Sequence, residues 1–165
     1  MNGVKTLINT LNLKPHPEGG YYREIFRSKI QTDHPEHQEK RALYTCIDFL
    51  LTRGQVSLLH RIASDEIWHF YEGGPATLHI FSKSGKKISL TLGSDFNKGH
   101  THQALVSAYD WFGVELQEET SYSFFGCTVI PGFDFADFEL LDQKNHHQLI
   151  SKFPSEREII QTLSP

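Results

Sequence analysis

A histidine and a glutamate six positions apart, set among large apolar residues, are the pair in this sequence best suited to chemistry: His60 and Glu66, within residues 54–73. An imidazole held by a carboxylate in a semi-apolar pocket titrates near neutral pH and can act as a general base. Other side chains could complete a ligand site around them. Arg23 carries a planar fork of donors that binds phosphate or carboxylate at two points. Glu18 could orient ligand hydroxyls or pair with Arg23, and Tyr22 and Asp134 add hydrogen-bonding groups. Trp68 and Phe112 could stack on a base or a sugar ring. Each has a plainer use. His60 and Glu66 can form a satisfied core pair, Trp68 can be core, Tyr22 and Arg23 can fix a strand or a dimer contact, and Asp134 can be a turn residue. Cys127 reads as a buried strand residue and not a nucleophile, because no histidine adjoins it.

These residues must be positioned by strands. Val56, Leu58, His60 and Ile62 alternate with Ser57, Leu59 and Arg61; after a turn at 63–65, Glu66, Trp68 and Phe70 alternate with Ile67, His69 and Tyr71. A period of two puts each set on one face, so the stretch reads as a hairpin with His69 on the face opposite Glu66. Val4, Leu7, Ile8 and Leu11 predict a short N-terminal helix, and residues 16–20 a turn. Strands are predicted at 21–28, 42–51, 76–83, 87–92, 101–106, 111–116, 122–129 and 137–141. Residues 31–41 are polar throughout and read as an exposed loop. His34 and His37 within it have helical spacing, but Pro35 lies between them and no apolar face accompanies them. His100 and His102 share a strand face, a chelating spacing without an evident third donor. Residues 143–153 have helical periodicity, and Ser155 with Glu158 forms a capping box for a last helix.

The chain has 165 residues, enough for one domain over residues 1–165 with a sizeable core. Its aromatic content of 12% favours strands. Short strands at regular spacing with helices only at the ends predict an all-β fold, an antiparallel sandwich or barrel. A net charge of −4 gives no electrostatic reason to expect a nucleic acid polymer or an anionic membrane as partner. The two cysteines read as reduced core residues, with one disulfide between them left open. The N-terminus lacks the apolar run and cleavage site of a signal peptide, and no apolar stretch is long enough to span a membrane. The default expectation is therefore a cytoplasmic location.

The spacing of the central stretch resembles the first motif of the cupin superfamily: glycine (Gly54), five residues, a histidine (His60), then glutamate (Glu66), six residues and glycine (Gly73). The second histidine of that motif is replaced here by Ile62. The second motif would fall at 107–112 and matches poorly, with Phe112 at its histidine position. Three further segments, 16–24, 65–71 and 126–139, look like the signature of one cupin branch whose fold is similar to the RmlC-type deoxysugar-nucleotide epimerases. The resemblance implies a double-stranded β-helix, the cupin jelly roll, with short terminal helices. It also implies proton abstraction beside a ketone by a histidine base, without a metal, and it places that base at His60 with Glu66 as partner. Metal-bearing cupins use three histidines and one glutamate. With only His60 and Glu66 in matching positions, no metal or other cofactor is expected.

The resulting expectation is a small-molecule-binding cupin acting as a metal-independent isomerase or epimerase on a carbohydrate or nucleotide-sugar ligand, and forming a homodimer. The alternatives are a ligand-binding cupin without turnover and a metal-dependent oxygenase or hydrolase.

Overall fold

Alternating apolar residues punctuated by Gly, Pro and Asp dictate strands through the middle of the chain. In the computed structural model, which describes residues 2–34 and 37–165, these strands form two facing sheets with antiparallel pairing. Numbered in chain order, the six-stranded sheet runs β1 (Lys14–Pro15), β2 (Tyr21–Arg27), β5 (Thr45–Thr52), β12 (Tyr122–Ile130), β7 (Asp65–Gly73) and β10 (Gln103–Val106). The five-stranded sheet runs β13 (Glu139–Leu140), β6 (Val56–Arg61), β11 (Trp111–Leu116), β8 (Ala76–Phe81) and β9 (Lys87–Leu92). The core lies between them, where Phe49, Trp68 and Phe125 of the first sheet meet Leu78, Phe112 and Val114 of the second. This is the expected all-β jelly roll.

The chain ends cap it. The N-terminal helix α1 (Asn2–Leu11) leads into β1. Helices α2 (Gln143–Lys152) and α3 (Arg157–Thr162) bury Leu149, Ile150, Ile160 and the adjoining Leu163 against Leu59, Phe81 and Trp111. The capping box does not form. Ser155 sits inside a short 3-10 turn (Pro154–Glu156), its hydroxyl bonds Glu156, and α3 starts without a side-chain cap. Among the described residues no helix is long and apolar enough to cross a membrane.

Two expectations about connectivity are corrected. The stretch 54–73 is not a hairpin: β6 pairs with β11 and β13, while β7 pairs with β10 and β12 in the other sheet. Both strands carry buried residues, such as Leu59 and His60 or Trp68 and Phe70, and crossing between sheets gives each strand two hydrogen-bonded neighbours. His60 and Glu66 therefore project from opposite sheets instead of lying side by side. A β-bulge adds a second change. Phe112 opposes His60 and Val114 opposes Ser57, so β6 holds one extra residue between these positions. The bulge shifts the side-chain parity, and Ser57 and His60 both turn toward the interior.

Residues 31–41 are not an exposed loop. They form a separate hairpin of β3 (Gln31–His34) and β4 (His37–Ala42). Two buried polar anchors hold it. Arg41 donates from Nε to Asp137 Oδ2 at 2.7 Å and from Nη2 to Asp137 Oδ1 at 2.8 Å, and His34 Nε2 lies 3.2 Å from the Ala63 carbonyl. Buried contacts made by polar residues leave no hydrophobic period in the sequence. The side chain of His37, half of the proposed histidine pair, lies outside the described residues.

The turn at 16–20 docks on β6 through the Leu58 N–H, which donates to the Glu18 carbonyl at 2.7 Å. Gly19 holds φ at 108°, and a Cβ there would collide with the Val56 carbonyl oxygen. Both facts require glycine. Gly19→Ala is expected to cost about 2–3 kcal/mol, measured by urea denaturation, because it adds backbone strain and also lifts the turn off β6.

Candidate functional site

Between the sheets, open at the β1–β2 end, lies a cavity of about 600 Å³, within the usual range for small-molecule sites. The polar groups of its interior include Glu18 from the docked turn, His60 from β6, and Glu66 and Cys127 from β7 and β12. Rings complete the wall: His16, Tyr22 and Phe49 on one side, and Phe133, Phe135 and Phe138 from the segment after β12 on the other. The His16 ring meets Tyr22 edge-on at 4.6 Å and lies near Phe135 at 6.1 Å.

Glu18 is the hub. It is 5% exposed, and its Oε1 accepts from the Ser57 hydroxyl at 2.8 Å. Its Oε2 lies 3.1 Å from His60 Nε2 and 3.3 Å from His16 Nδ1. The proton positions follow from the partners. His60 Nδ1 lies 2.7 Å from the Leu58 carbonyl, which can only accept, so Nδ1 carries the hydrogen. Burial lowers the His60 pKa to about 3, which keeps the ring neutral and leaves Nε2 as an acceptor. Burial, reinforced by the charge of Glu66, raises the Glu18 carboxyl well above its ordinary value, so it holds a proton to donate. The backbone N–H of Glu18 donates to His16 Nδ1 at 3.4 Å. Burial lowers His16 to about 4, and its single hydrogen is therefore on Nε2, which has no protein partner among the described residues.

Glu66 is different. It is 6% exposed, lines the cavity and has no ion-pair partner among the described residues. Burial raises its pKa to about 7, partly offset by a hydrogen bond from the Cys127 thiol. That thiol is itself pushed well up, by burial first and then by the Glu66 charge, which makes it a donor and not a nucleophile. Both cysteines are free.

The remaining predicted site residues divide. Tyr22 lines the cavity. Arg23 does not pair with Glu18. It sits opposite Asp48 in the β2–β5 register and binds it from Nε and Nη2, each at 2.8 Å, while Nη1 donates to the Leu11 carbonyl. Trp68 and Phe112 are not cavity walls but core, 1% and 0% exposed. Phe112 backs His60 with a ring separation of 4.1 Å. Asp134 accepts from the Ala136 N–H at 2.9 Å and caps the 3-10 turn Phe135–Asp137, outside the cavity lining. The His60–Glu66 partnership is replaced by His60–Glu18. His69 lies on the outer sheet face, as strand alternation predicts, against Thr128 and Gln103. His100 accepts from the Asp95 N–H. Among the described residues no three His, Cys, Asp or Glu side chains are grouped to hold a metal ion. His16, Ser57 and the three phenylalanines were missed. The signals for His16 were its place two residues before Glu18 in a Gly-rich turn and at the head of the segment 16–24.

Two facing sheets of antiparallel strands enclosing an aromatic-walled cavity define a jelly roll. Residues 5–141 match the family model described as Cupin superfamily (DUF985), and the chain belongs to that family. A solved protein from Shewanella oneidensis is 36% identical, with a TM-score of 0.85 over 98% of this chain and 96% of that one. A hypothetical protein from Leishmania major is 31% identical, with a TM-score of 0.85 over 97% of each chain. Oxalate decarboxylase from Bacillus subtilis shares the fold alone, at 16% identity and a TM-score of 0.57 over 90% of this chain and 36% of that one. No curated protein matches the chain.

A protonated Glu18 makes a specific expectation. Glu18→Gln presents an amide donor to His60 and a carbonyl to Ser57, so it should cost less than about 1 kcal/mol in a denaturant titration, whereas Glu18→Ala, which orphans both partners, should cost about 2–3 kcal/mol.

The pH dependence has two limbs. Glu66 binds its proton more tightly folded (about 7) than unfolded (4.5), so its contribution to stability falls as pH rises through that window. His60 and His16 bind theirs less tightly folded than unfolded (6.5), so theirs falls as pH drops from 6.5 toward 4 and 3. Glu66→Gln should remove the first limb. The variant should gain on the order of 3 kcal/mol over wild type at pH 8 and little at pH 4, read from denaturation at the two pH values.

Proposed function

We propose that this cupin binds a small carbohydrate or nucleotide-sugar ligand in the cavity and moves a proton on it without a metal, as an isomerase or epimerase. The observation that carries this reading is Glu66: a buried carboxyl with no ion-pair partner, facing the cavity and poised near neutral pH. A general base works best with its pKa near the operating pH. The base role passes from His60 to Glu66, because His60 Nε2 is engaged by Glu18 and the ring is held neutral by deep burial.

In the step proposed, the Glu66 carboxylate takes a proton from a ligand carbon beside a carbonyl. The C–H electron pair moves into the C–C bond to give an enolate, and the same or another acid returns a proton to the carbon. His16 Nε2–H is the available donor for the enolate oxygen, in a site where burial strengthens such a bond. The Cys127 thiol orients Glu66, and the Ser57–Glu18–His60 chain fixes the turn that carries His16. A ligand-binding role without turnover is the second reading. It is favoured by the mutual saturation of Ser57, Glu18, His60 and the Leu58 carbonyl, which ties up most of the polar groups beside Glu66.

The test is solvent exchange. The protein is incubated in D2O with sugar phosphates and nucleotide sugars, and deuterium at carbon is followed by NMR. Wild type should exchange one position, a chelator should not change the rate, and Glu66→Gln should lose at least about a hundredfold. Binding without exchange would replace the isomerase with the binding role, and undiminished exchange in Glu66→Gln would place the base elsewhere.

A further inference from the structure

The cavity interior holds no strong fixed charge: Glu18 is protonated, His16 and His60 are neutral, and Glu66 sits at its titration point near neutral pH. An anionic group placed there would face two carboxyls and no cation. The mouth is different. Among the described residues three cations line the cavity, Lys14, Arg23 and Arg27, and two are already committed. Arg23 is held by Asp48 and the Leu11 carbonyl. Arg27 donates from Nε and Nη2 to the Glu24 carboxylate and from Nη1 to the Phe133 carbonyl. Lys14 has no ion pair or side-chain hydrogen bond among the described residues.

Its direction is set by the strand. Lys14 lies on the edge strand β1 directly opposite Tyr22, and directly opposed residues project to the same face. Tyr22 lines the cavity, so the ammonium reaches over its mouth. With the Arg23–Asp48 and Arg27–Glu24 pairs each neutral, the mouth carries one uncompensated positive charge, exposed to solvent and mobile on its stem.

We propose that Lys14 is the anchor for a phosphoryl group, so that the ligand is a phosphorylated sugar or nucleotide sugar entering ring-first, with the uncharged ring at Glu66 and the phosphate at the mouth. This deepens the preceding proposal and rests on its choice of a carbohydrate ligand. It moves anion recognition from Arg23, where the sequence suggested it, to a residue whose charge is not already spoken for. A point charge on a flexible stem suits a phosphate at an open mouth, as a two-point fork suits a carboxylate.

Matched probes test it on the full chain. Glucose 6-phosphate against glucose, and uridine monophosphate against uridine, are titrated by ligand-observed NMR into wild type, Lys14→Gln and Lys14→Glu, with inorganic phosphate as a further probe. The phosphorylated member of at least one pair should bind about tenfold more tightly than its partner, the scale of one hydrogen bond to a charged group. That advantage should shrink in Lys14→Gln and vanish in Lys14→Glu, while affinity for the unphosphorylated member stays unchanged. Inorganic phosphate should bind more weakly than the phosphorylated ring. The proposal is overturned if no phosphorylated probe binds, if neither lysine variant changes its affinity, or if inorganic phosphate binds as tightly as the best phosphorylated probe. The two proposals fail separately. Lys14-dependent binding without deuterium exchange keeps the anchor and removes the isomerase. Exchange on a sugar phosphate whose rate and affinity are untouched by Lys14→Glu keeps the isomerase and removes the anchor.

Discussion

The site depends on one proton, the one held by the Glu18 carboxyl between two imidazoles. With that proton in place, the Ser57 hydroxyl, Glu18, His60 and the Leu58 carbonyl form a chain in which every donor meets an acceptor. Take it away and a buried carboxylate would face the lone pairs of His60 Nε2 and His16 Nδ1, with Glu66 adding repulsion from across the cavity. Isolated buried charge costs several kcal/mol, which is why the network settles into its uncharged form. That choice then sets the rest. A neutral hub ties the 16–20 turn to β6, fixes the tautomers of both histidines and leaves the Glu66 carboxyl facing the cavity without an ion-pair partner among the described residues.

This network sits at the positions that the resemblance to the cupin motif singles out in the sequence. His60 and Glu66 keep the positions that two donors occupy in the cupin motif, but Ile62 and Phe112 occupy the other donor positions. Phe112 packs on the His60 ring, and Glu18 satisfies the imidazole nitrogen that would otherwise point inward. A residue from the N-terminal turn thus takes over as the partner of His60.

Much of the fold was legible in the sequence because strands and turns are local. The strands at 56–61 and 65–73, and the helices at both ends of the chain, all reappear in the structure. His60 and Glu66 could be found because their spacing survives as a motif. What was hidden is non-local. Nothing in residues 54–73 says that the two strands join different sheets, and a bulge that puts Ser57 and His60 on one side breaks the alternation that sequence reasoning relies on. Glu18 was visible as a candidate, but its partner lies 42 residues away along the chain, and no period links them. Trp68 and Phe112 misled for the opposite reason: an aromatic residue beside a polar motif is as well used in a core as in a pocket wall.

The Arg41–Asp137 pair has a consequence for binding. The segment carrying Phe133, Phe135 and Phe138 would otherwise be an irregular excursion over the cavity. It is held instead by a two-point ion pair from the outlying hairpin, by Thr45 accepting the Phe133 N–H and by Arg27 on the Phe133 carbonyl. Half of the aromatic wall therefore loses its conformational entropy when the protein folds and not when a ligand arrives. A ligand meeting a wall already in place keeps more of its contact energy as affinity. The hairpin, apart from the cavity in sequence and polar in composition, is in that sense a device that sets the aromatic wall in advance.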